Sequence, residues 1–369
     1  MKLSCDRQKL LHAFQMAAGV VPARSPKPIL QNVKLEVTAE TATLLATDLE
    51  VGIRVEVAGF QVEVPGSVLL PMNRFGPILR ESSDENLYLE SDGAKTWVRG
   101  DRSEFHLPTE NPDEFPEVVR FEEEKYHRVP ARFFREMVRR TVFATDPESS
   151  RYALGGVMIE LGPEKLIGVA TDGRRLARQE GPAKAVAGHG NRESTIIPAR
   201  SMQLLERTLV DSEEEICLAA RENDVLIKSA KVTVYTRLVE GRFPRWRDVF
   251  PKIESMTPIE MTVGPFYAAV RQAMIVTNER QRGVDFQFAD GKLTLTARSA
   301  EMGESRVEMP IAYDGKPLVV MLDPRFVNDF LKVLDLDATF TFHLRDAESA
   351  VVTTTGDGYS YVIMPLSRD

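Results

Sequence analysis

Cysteine is almost missing from this chain. Cys5 and Cys217 are the only two in 369 residues, far apart and without ligand spacing, which excludes a disulfide framework and argues against a zinc site. Long apolar runs are missing too: no stretch approaches the ~18 uninterrupted apolar residues of a membrane span, and Met1-Lys2-Leu3-Ser4-Cys5-Asp6-Arg7 has no signal-like apolar region. A cytoplasmic protein with no membrane partner is expected. Histidine is sparse, and His12, His106, His127, His189 and His343 are scattered, so they are expected at exposed positions or element ends. There is no Gly-rich phosphate loop, His-Glu-x-x-His pattern or nucleophile elbow. Asp48 and Asp172, each preceded by threonine, are expected to hold turns through side-chain to backbone bonds rather than to do acid–base chemistry. Neither a catalytic residue, a metal nor a cofactor is expected. An excess of positive charge is also lacking: 47 basic against 55 acidic residues give a net charge of −8. Bulk adhesion to nucleic acid is therefore disfavoured unless the basic residues are concentrated somewhere.

What is present is repetition. With 43% hydrophobic residues, the chain has globular composition and length for two or three domains. The run Thr43-Leu44-Leu45-Ala46-Thr47-Asp48 returns as Leu166-Ile167-Gly168-Val169-Ala170-Thr171-Asp172 and as Leu293-Thr294-Leu295-Thr296-Ala297-Arg298. An apolar strand running into a proline recurs at Leu69-Leu70-Pro71, Ile196-Ile197-Pro198 and Leu322-Asp323-Pro324. Proline at the first helical position presets φ, so all three are expected to open helices. A helical segment precedes each strand block, at Leu10 to Val20, Ala131 to Phe143 and Pro265 to Val276. Asp92-Gly93, Asp290-Gly291, Asp314-Gly315 and Asp357-Gly358 predict hairpins. Each unit reads as α+β, two helices with antiparallel sheet, and the period is long enough for each to be a domain. Linkers are expected near Phe121 to Lys125 and Pro251 to Pro258.

The positive charge is concentrated on helices. Arg132, Arg135, Arg139 and Arg140 share a spacing opposite Phe134, Met137, Val138 and Val142. Arg200, Gln203 and Arg207 oppose Met202, Leu205 and Leu209, and Arg325, Asn328 and Lys332 oppose Val327, Phe330, Leu331 and Leu334. Any one stripe alone reads as a solvated face. Stripes at equivalent repeat positions would, if brought onto one surface, contact phosphates without reading bases.

These residues resemble the bacterial β sliding clamp family, processivity factors of DNA polymerase III. The resemblance covers essentially the whole chain. It rests on Pro28-Ile29-Leu30-Gln31-Asn32-Val33, Ala46-Thr47-Asp48-Leu49-Glu50, Arg151-Tyr152-Ala153-Leu154-Gly155-Gly156, Val169-Ala170-Thr171-Asp172-Gly173-Arg174-Arg175-Leu176-Ala177 and Leu238-Val239-Glu240-Gly241-Arg242-Phe243-Pro244. Thr277-Asn278-Glu279-Arg280-Gln281-Arg282-Gly283-Val284 and Tyr361-Val362-Ile363-Met364-Pro365-Leu366 complete it. The resemblance implies three repeated DNA-clamp domains, at 1–122, 123–253 and 254–369. Two chains would assemble head to tail into a homodimeric ring around double-stranded DNA, with helices inside and sheets outside.

The same resemblance implies the sites. Duplex DNA would face Arg24, Arg132, Arg135, Arg139, Arg200, Arg207, Arg325 and Lys332. The dimer would join Phe105 of one chain to Ile275 and Val276 of the other. Short peptides of partners would enter a pocket walled by Leu154, Thr171, Gly173, Arg174, Arg175, Leu176, Pro244, Val249, Val362, Met364, Pro365 and Leu366, where an arginine can grip a carbonyl or an acidic group. Partners implied are the alpha subunit of DNA polymerase III, the clamp-loader delta subunit, and repair polymerases and ligase. Without the family, the apolar members and the three interface residues read as core, and Arg24 as a loop residue. The sequence departs from the family pattern at Asp248, Arg174, Glu348 and Ala350, and in the longer ending Ser367-Arg368-Asp369. The alternative function is a β-rich peptide-binding scaffold that does not encircle DNA.

Overall fold

The computed structural model describes residues 1–149, 153–190, 195–209 and 213–367. Arg151 and Tyr152 of the second-unit motif, and Arg368-Asp369 of the ending, lie outside the described residues. Three helix pairs recur along the chain: α1 (Arg7–Ala18) with α2 (Met72–Glu81), α3 (Ala131–Thr141) with α4 (Ala199–Thr208), and α6 (Val263–Ala273) with α7 (Pro324–Lys332). A short α5 (Trp246–Val249) lies between the second and third pairs. Asp6 and Asp323 cap α1 and α7, accepting from the backbone N–H of Lys9 and Arg325, both at 3.0 Å. The three strand-to-proline junctions differ from expectation in one respect. Pro324 occupies the first turn of α7, whereas Pro71 and Pro198 are cap residues in extended conformation. A proline φ near −65° suits the last extended residue as well as the first helical one, so the motif marks the junction and not the phase.

Among the described residues, four antiparallel sheets carry the rest. One has five strands, in the order Phe60–Val64, Lys2–Asp6, Asn86–Ser91, Lys95–Arg99, Glu104–Pro108. Another has four, in the order Gly303–Pro310, Lys292–Ser299, Val284–Ala289, Leu318–Leu322. The other two cross the boundaries between units. Val51–Glu56 of the first unit pairs with Val232–Arg237 of the second, with Ile53 opposite Val234, inside a nine-stranded sheet. Arg175–Pro182 of the second pairs with Tyr359–Ile363 of the third, with Leu176 opposite Val362, inside an eight-stranded one. The units are therefore joined by continuous backbone ladders, which the repeat alone did not reveal.

Asp92-Gly93, Asp290-Gly291 and Asp357-Gly358 turn hairpins as predicted. Asp314-Gly315 does not. It connects Gly303–Pro310 to Leu318–Leu322, which sit at opposite edges of their sheet, so a turn signal here serves a crossover. Between helices and sheets the core is apolar, with Phe14, Phe75, Phe134, Phe266, Phe330 and Phe342 among its fully buried rings.

Candidate functional site: an apolar cleft and a cationic helix face

Strand Lys165–Thr171 ends in a turn that Asp172 organises. Its Oδ1 accepts from the backbone N–H of Arg174 at 2.9 Å and of Arg175 at 3.0 Å, while Thr171 Oγ1 donates to Arg175 O at 2.6 Å. Asp48 does the same for Glu50 and Val51 in the first unit. Both carboxylates hold turns, as the sequence suggested. Beside the second turn runs Tyr359–Ile363, and the chain continues so that Met364 N–H donates to Arg174 O at 2.9 Å. Opposite stands α5, introduced by Phe243-Pro244. The result is a cleft of about 630 Å³.

Ten of the residues named from sequence line it: Leu154, Thr171, Gly173, Arg174, Arg175, Leu176, Pro244, Val249, Val362 and Met364. Pro365 and Leu366 do not. Leu366 N–H donates to Met321 O at 2.8 Å, and this bond turns both residues toward a second groove, about 370 Å³, with Val319, Met321, Ala347 and Glu348. Neighbours in sequence need not face one cavity when the chain is pulled alongside a different strand.

Arg175 has a different part from the one its residue type suggested. Its guanidinium donates to Asp172 Oδ2 at 2.9 Å, Asp329 Oδ2 at 2.5 Å and Phe143 O at 2.7 Å, and lies over the Phe326 ring at 4.5 Å. Burial opposes its charge, but Tyr361, Asp329 and Asp172 outweigh burial and hold its pKa above the ordinary arginine value. The group ties the cleft wall to α7. Arg174 is exposed at the rim.

Trp246, Pro251, Lys252, Met256, Arg345, Ser349 and Ala350 complete the lining. Sequence reading passed over Trp246, one of only two tryptophans. A signal existed: Phe243-Pro244 repeats Phe115-Pro116, which places Trp246 at the position of Val118. Val118 packs with Leu45, Leu69 and Phe115. Trp246 instead forms part of the cleft, its Nε1–H donating to Glu160 Oε1 at 2.9 Å, with the Arg247 guanidinium over the indole at 4.4 Å. Burial opposes the Glu160 charge, but hydrogen bonds from Arg247 and Trp246 hold its carboxyl below the usual glutamate range.

On the helical side of the molecule, α1 and α4 jointly line one depression, and α3, α4 and Asp335 just after α7 line another. The helix pairs of successive units thus lie side by side. Arg132, Arg135, Arg139, Arg207 and Lys332 are exposed there. Arg200 and Arg325 are exposed too, but each meets a carboxylate at 2.8 Å, Asp48 and Asp323 respectively. Arg24 is exposed in the loop after α1. Arg140 departs from its stripe: it is buried, bonded to Glu136, Gln179 and Asp357, with its guanidinium over the Tyr359 ring. Its position on α3 faces the third unit, where a charge survives only with such partners.

The residues expected at the dimer contact lie on or beside two sheet edges, one in the first unit and one in the third. Glu104–Pro108 carries Phe105, 37% exposed, and Gly303–Pro310 packs on the turn Met274–Val276, where Ile275 is 70% exposed and Val276 half-buried.

Three family profiles match in order: DNA polymerase III beta subunit N-terminal domain at residues 1–119, central domain at 128–245 and C-terminal domain at 247–367. The chain belongs to the DNA polymerase III beta subunit family. Beta sliding clamps of Pseudomonas putida and Escherichia coli K12 are each 29% identical, over 99% of this chain and 100% of theirs. The crystal structure of the DNA polymerase III subunit beta from Pseudomonas aeruginosa superposes with a TM-score of 0.90 at 27% identity, covering 100% of both chains.

Two of the five histidines are buried. His127 is fully buried rather than exposed, its Nδ1 2.6 Å from Nδ1 of His189 and its Nε2 2.9 Å from Gly162 O, and His343 is buried as well. His127 lies inside strand Tyr126–Pro130, where alternation directs it to the core and a second histidine satisfies it.

Proposed function

We propose that this protein works as a sliding clamp, a non-catalytic processivity subunit of DNA polymerase III. Two copies close head to tail into a ring, duplex DNA passes through it without sequence preference, and a polymerase held by the ring stays with its template. The observation that carries this reading is the row of paired helices bearing exposed cations in a chain of net charge −8. Exposed cations gathered on one helix face attract phosphates there, while a net acidic chain discourages binding elsewhere. The DNA-facing set is Arg24, Arg132, Arg135, Arg139, Arg200, Arg207, Arg325 and Lys332.

The clamp domains are 1–122, 123–253 and 254–369. The homodimer closes where Phe105 on one open edge meets Ile275 and Val276 of a second copy, a heterologous contact of the kind that generates rings. The apolar cleft receives short peptides from the polymerase alpha subunit, the clamp-loader delta subunit, repair polymerases and ligase. Leucine, valine and methionine walls give an adaptable seat for apolar anchors. Among the described residues no helix is long and apolar enough to cross a membrane. A cytoplasmic, nucleoid-associated location suits this role.

The deciding experiment loads the protein onto nicked circular DNA with a clamp loader and measures retention before and after linearising the circle. Loss on linearisation establishes topological linkage. Unchanged retention means surface binding, and none at all with a competent loader favours a peptide-binding scaffold.

A further inference from the structure

The nine-stranded sheet carries a hollow on the face turned away from the helices. In Ala42–Thr47 and Val51–Glu56, Leu44, Ile53 and Val55 join the core beneath α1, so alternation sends Leu45 and Arg54 to the opposite face. Arg54 stands opposite Thr233, and Thr233 stands opposite Lys228 on the next strand, Asp224–Lys228. The three side chains therefore share one rung on one face, each strand about 4.8 Å from the next. The segment leading out of the first unit crosses this face, where Phe115 and Val118 pack on Leu45 and Leu69. Arg54 Nη1 donates to Val118 O at 3.0 Å, and two residues later Arg120 reaches the rim of the same hollow, about 310 Å³.

The positive charge here is incompletely neutralised. The described lining holds four cations, Arg54, Arg120, Lys228 and Lys231, against three carboxylates, Glu36, Glu56 and Glu122. Glu36 is taken up by Lys34 at 3.1 Å, from outside the lining, and lies 3.6 Å from Arg54 Nη2, too far for a good hydrogen bond. Arg120 and Lys228 are exposed, and no ion pair joins either to another described residue. Burial and the like charge of Arg120 oppose the Arg54 charge more than Glu36 supports it, which holds its pKa below the ordinary arginine value. Thr233 is half-buried, and its hydroxyl makes no hydrogen bond to another described residue. Two guanidiniums, an ammonium and an unused hydroxyl thus stand together, short of negative charge.

We propose that this hollow binds a phosphate oxyanion, gripped by the Arg54 and Arg120 guanidiniums and the Lys228 ammonium and receiving a hydrogen bond from the Thr233 hydroxyl. The planar fork of arginine matches phosphate oxygens two at a time, and a hydroxyl donor on the same rung fixes the anion in place. The site is separate from the cationic helix face, since the sheet lies between them. Free phosphates such as pyrophosphate and the backbone phosphates of single-stranded nucleic acid share this chemistry.

The test is equilibrium dialysis of the full-length protein against labelled pyrophosphate at low salt. Saturable binding of one anion per chain is expected, with a Kd below about 1 mM. Arg120→Ala and Lys228→Ala should each weaken it roughly tenfold, and Thr233→Val, which removes a donor without changing charge, roughly threefold. The Arg120 and Lys228 side chains are exposed, so those variants keep the fold. Replacing Arg132, Arg135 and Arg139 together by alanine should leave binding unchanged. In that triple variant a short oligothymidylate distinguishes the source: displacement of pyrophosphate assigns the site to nucleic-acid phosphates, and no displacement assigns it to free ones. Absence of saturable pyrophosphate binding overturns the proposal. So does binding that is indifferent to Arg120, Lys228 and Thr233, or that is lost with the helix arginines.

Discussion

Leu49 and Gly173 occupy the same position of one turn in the first and second units, with φ of 80° and 86°. In each case an aspartate immediately before, Asp48 or Asp172, holds the turn through two backbone N–H groups. The left-handed conformation costs a residue with a Cβ roughly 1–2 kcal/mol. Glycine avoids that cost but loses more freedom on folding. Leu49→Gly should therefore raise the stability of the protein by a few tenths to about 1 kcal/mol, and Gly173→Leu should lower it by about 1–2 kcal/mol. Urea denaturation of both variants checks this. A Leu49→Gly protein less stable than the wild type would show that the leucine side chain outweighs the strain.

The buried histidines should make stability depend on pH. His127 Nε2–H donates to Gly162 O at 2.9 Å, which leaves Nδ1 to accept from His189 Nδ1–H at 2.6 Å. His189 Nε2 then accepts from Ala220 N–H at 3.2 Å. Only one of the two Nδ1 atoms can donate across that contact, so His127, with its Nε2–H on Gly162 O, accepts there as a neutral imidazole. Burial lowers the His127 pKa, so the unfolded chain takes up the proton before the folded one does. The contribution is complete above about pH 6.5 and is lost as the pH falls below it, at up to about 1.4 kcal/mol per pH unit and proton. His343, likewise lowered by burial, adds to the wild-type slope. His127→Gln should flatten the decline in urea midpoint between about pH 7 and about pH 5 relative to wild type. Parallel profiles for the two proteins would remove His127 from the account.

Arg139 and Arg140 are adjacent and should behave in opposite ways. Replacing Arg132, Arg135 and Arg139 together by alanine should leave folding nearly unchanged, because all three are exposed. It should reduce the slope of log affinity for DNA against log salt by about 0.9 for each phosphate contact removed. Arg140→Ala should leave that slope alone and cost about 1–3 kcal/mol of stability, since Gln179 and Asp357 lose a charged donor. A salt titration of DNA binding beside a denaturation curve separates the two.

Ile275→Glu should give a folded monomer. The side chain is 70% exposed in the single chain, so the substitution costs the subunit little. In a closed interface it would bury an unpaired carboxylate, which is far more expensive. Sedimentation should show half the wild-type mass with an unchanged circular dichroism spectrum, and retention on circular DNA should vanish. A dimer of normal mass would move the interface elsewhere.

Much of this architecture was legible before any coordinates. The threefold recurrence of strand and helix, with a Thr-Asp turn in the first two units, located the helix pairs and most hairpins, because hydrophobic period, glycine and proline act over a few residues. Ten of the residues named for the cleft line one cavity, and they come from short blocks of sequence that each fold locally. What was missed lies at contacts between distant segments. Trp246 gains its meaning from Glu160, Arg140 from Asp357, and His127 from His189.

The sequence by itself determined the three α+β units, their helix faces, the Asp48 and Asp172 turns and the surplus of acid over base. Only the tertiary structure decided that sheets run unbroken from one unit to the next, that Arg175 is a strut to Asp329, and that Pro365 and Leu366 leave the cleft that Met364 lines. The reason is the range of the forces. Backbone preference and hydrophobic alternation are set by neighbours in the chain, whereas a buried charge or a sheet edge is satisfied by whichever partner folding brings to it, and that partner stands tens to hundreds of residues away.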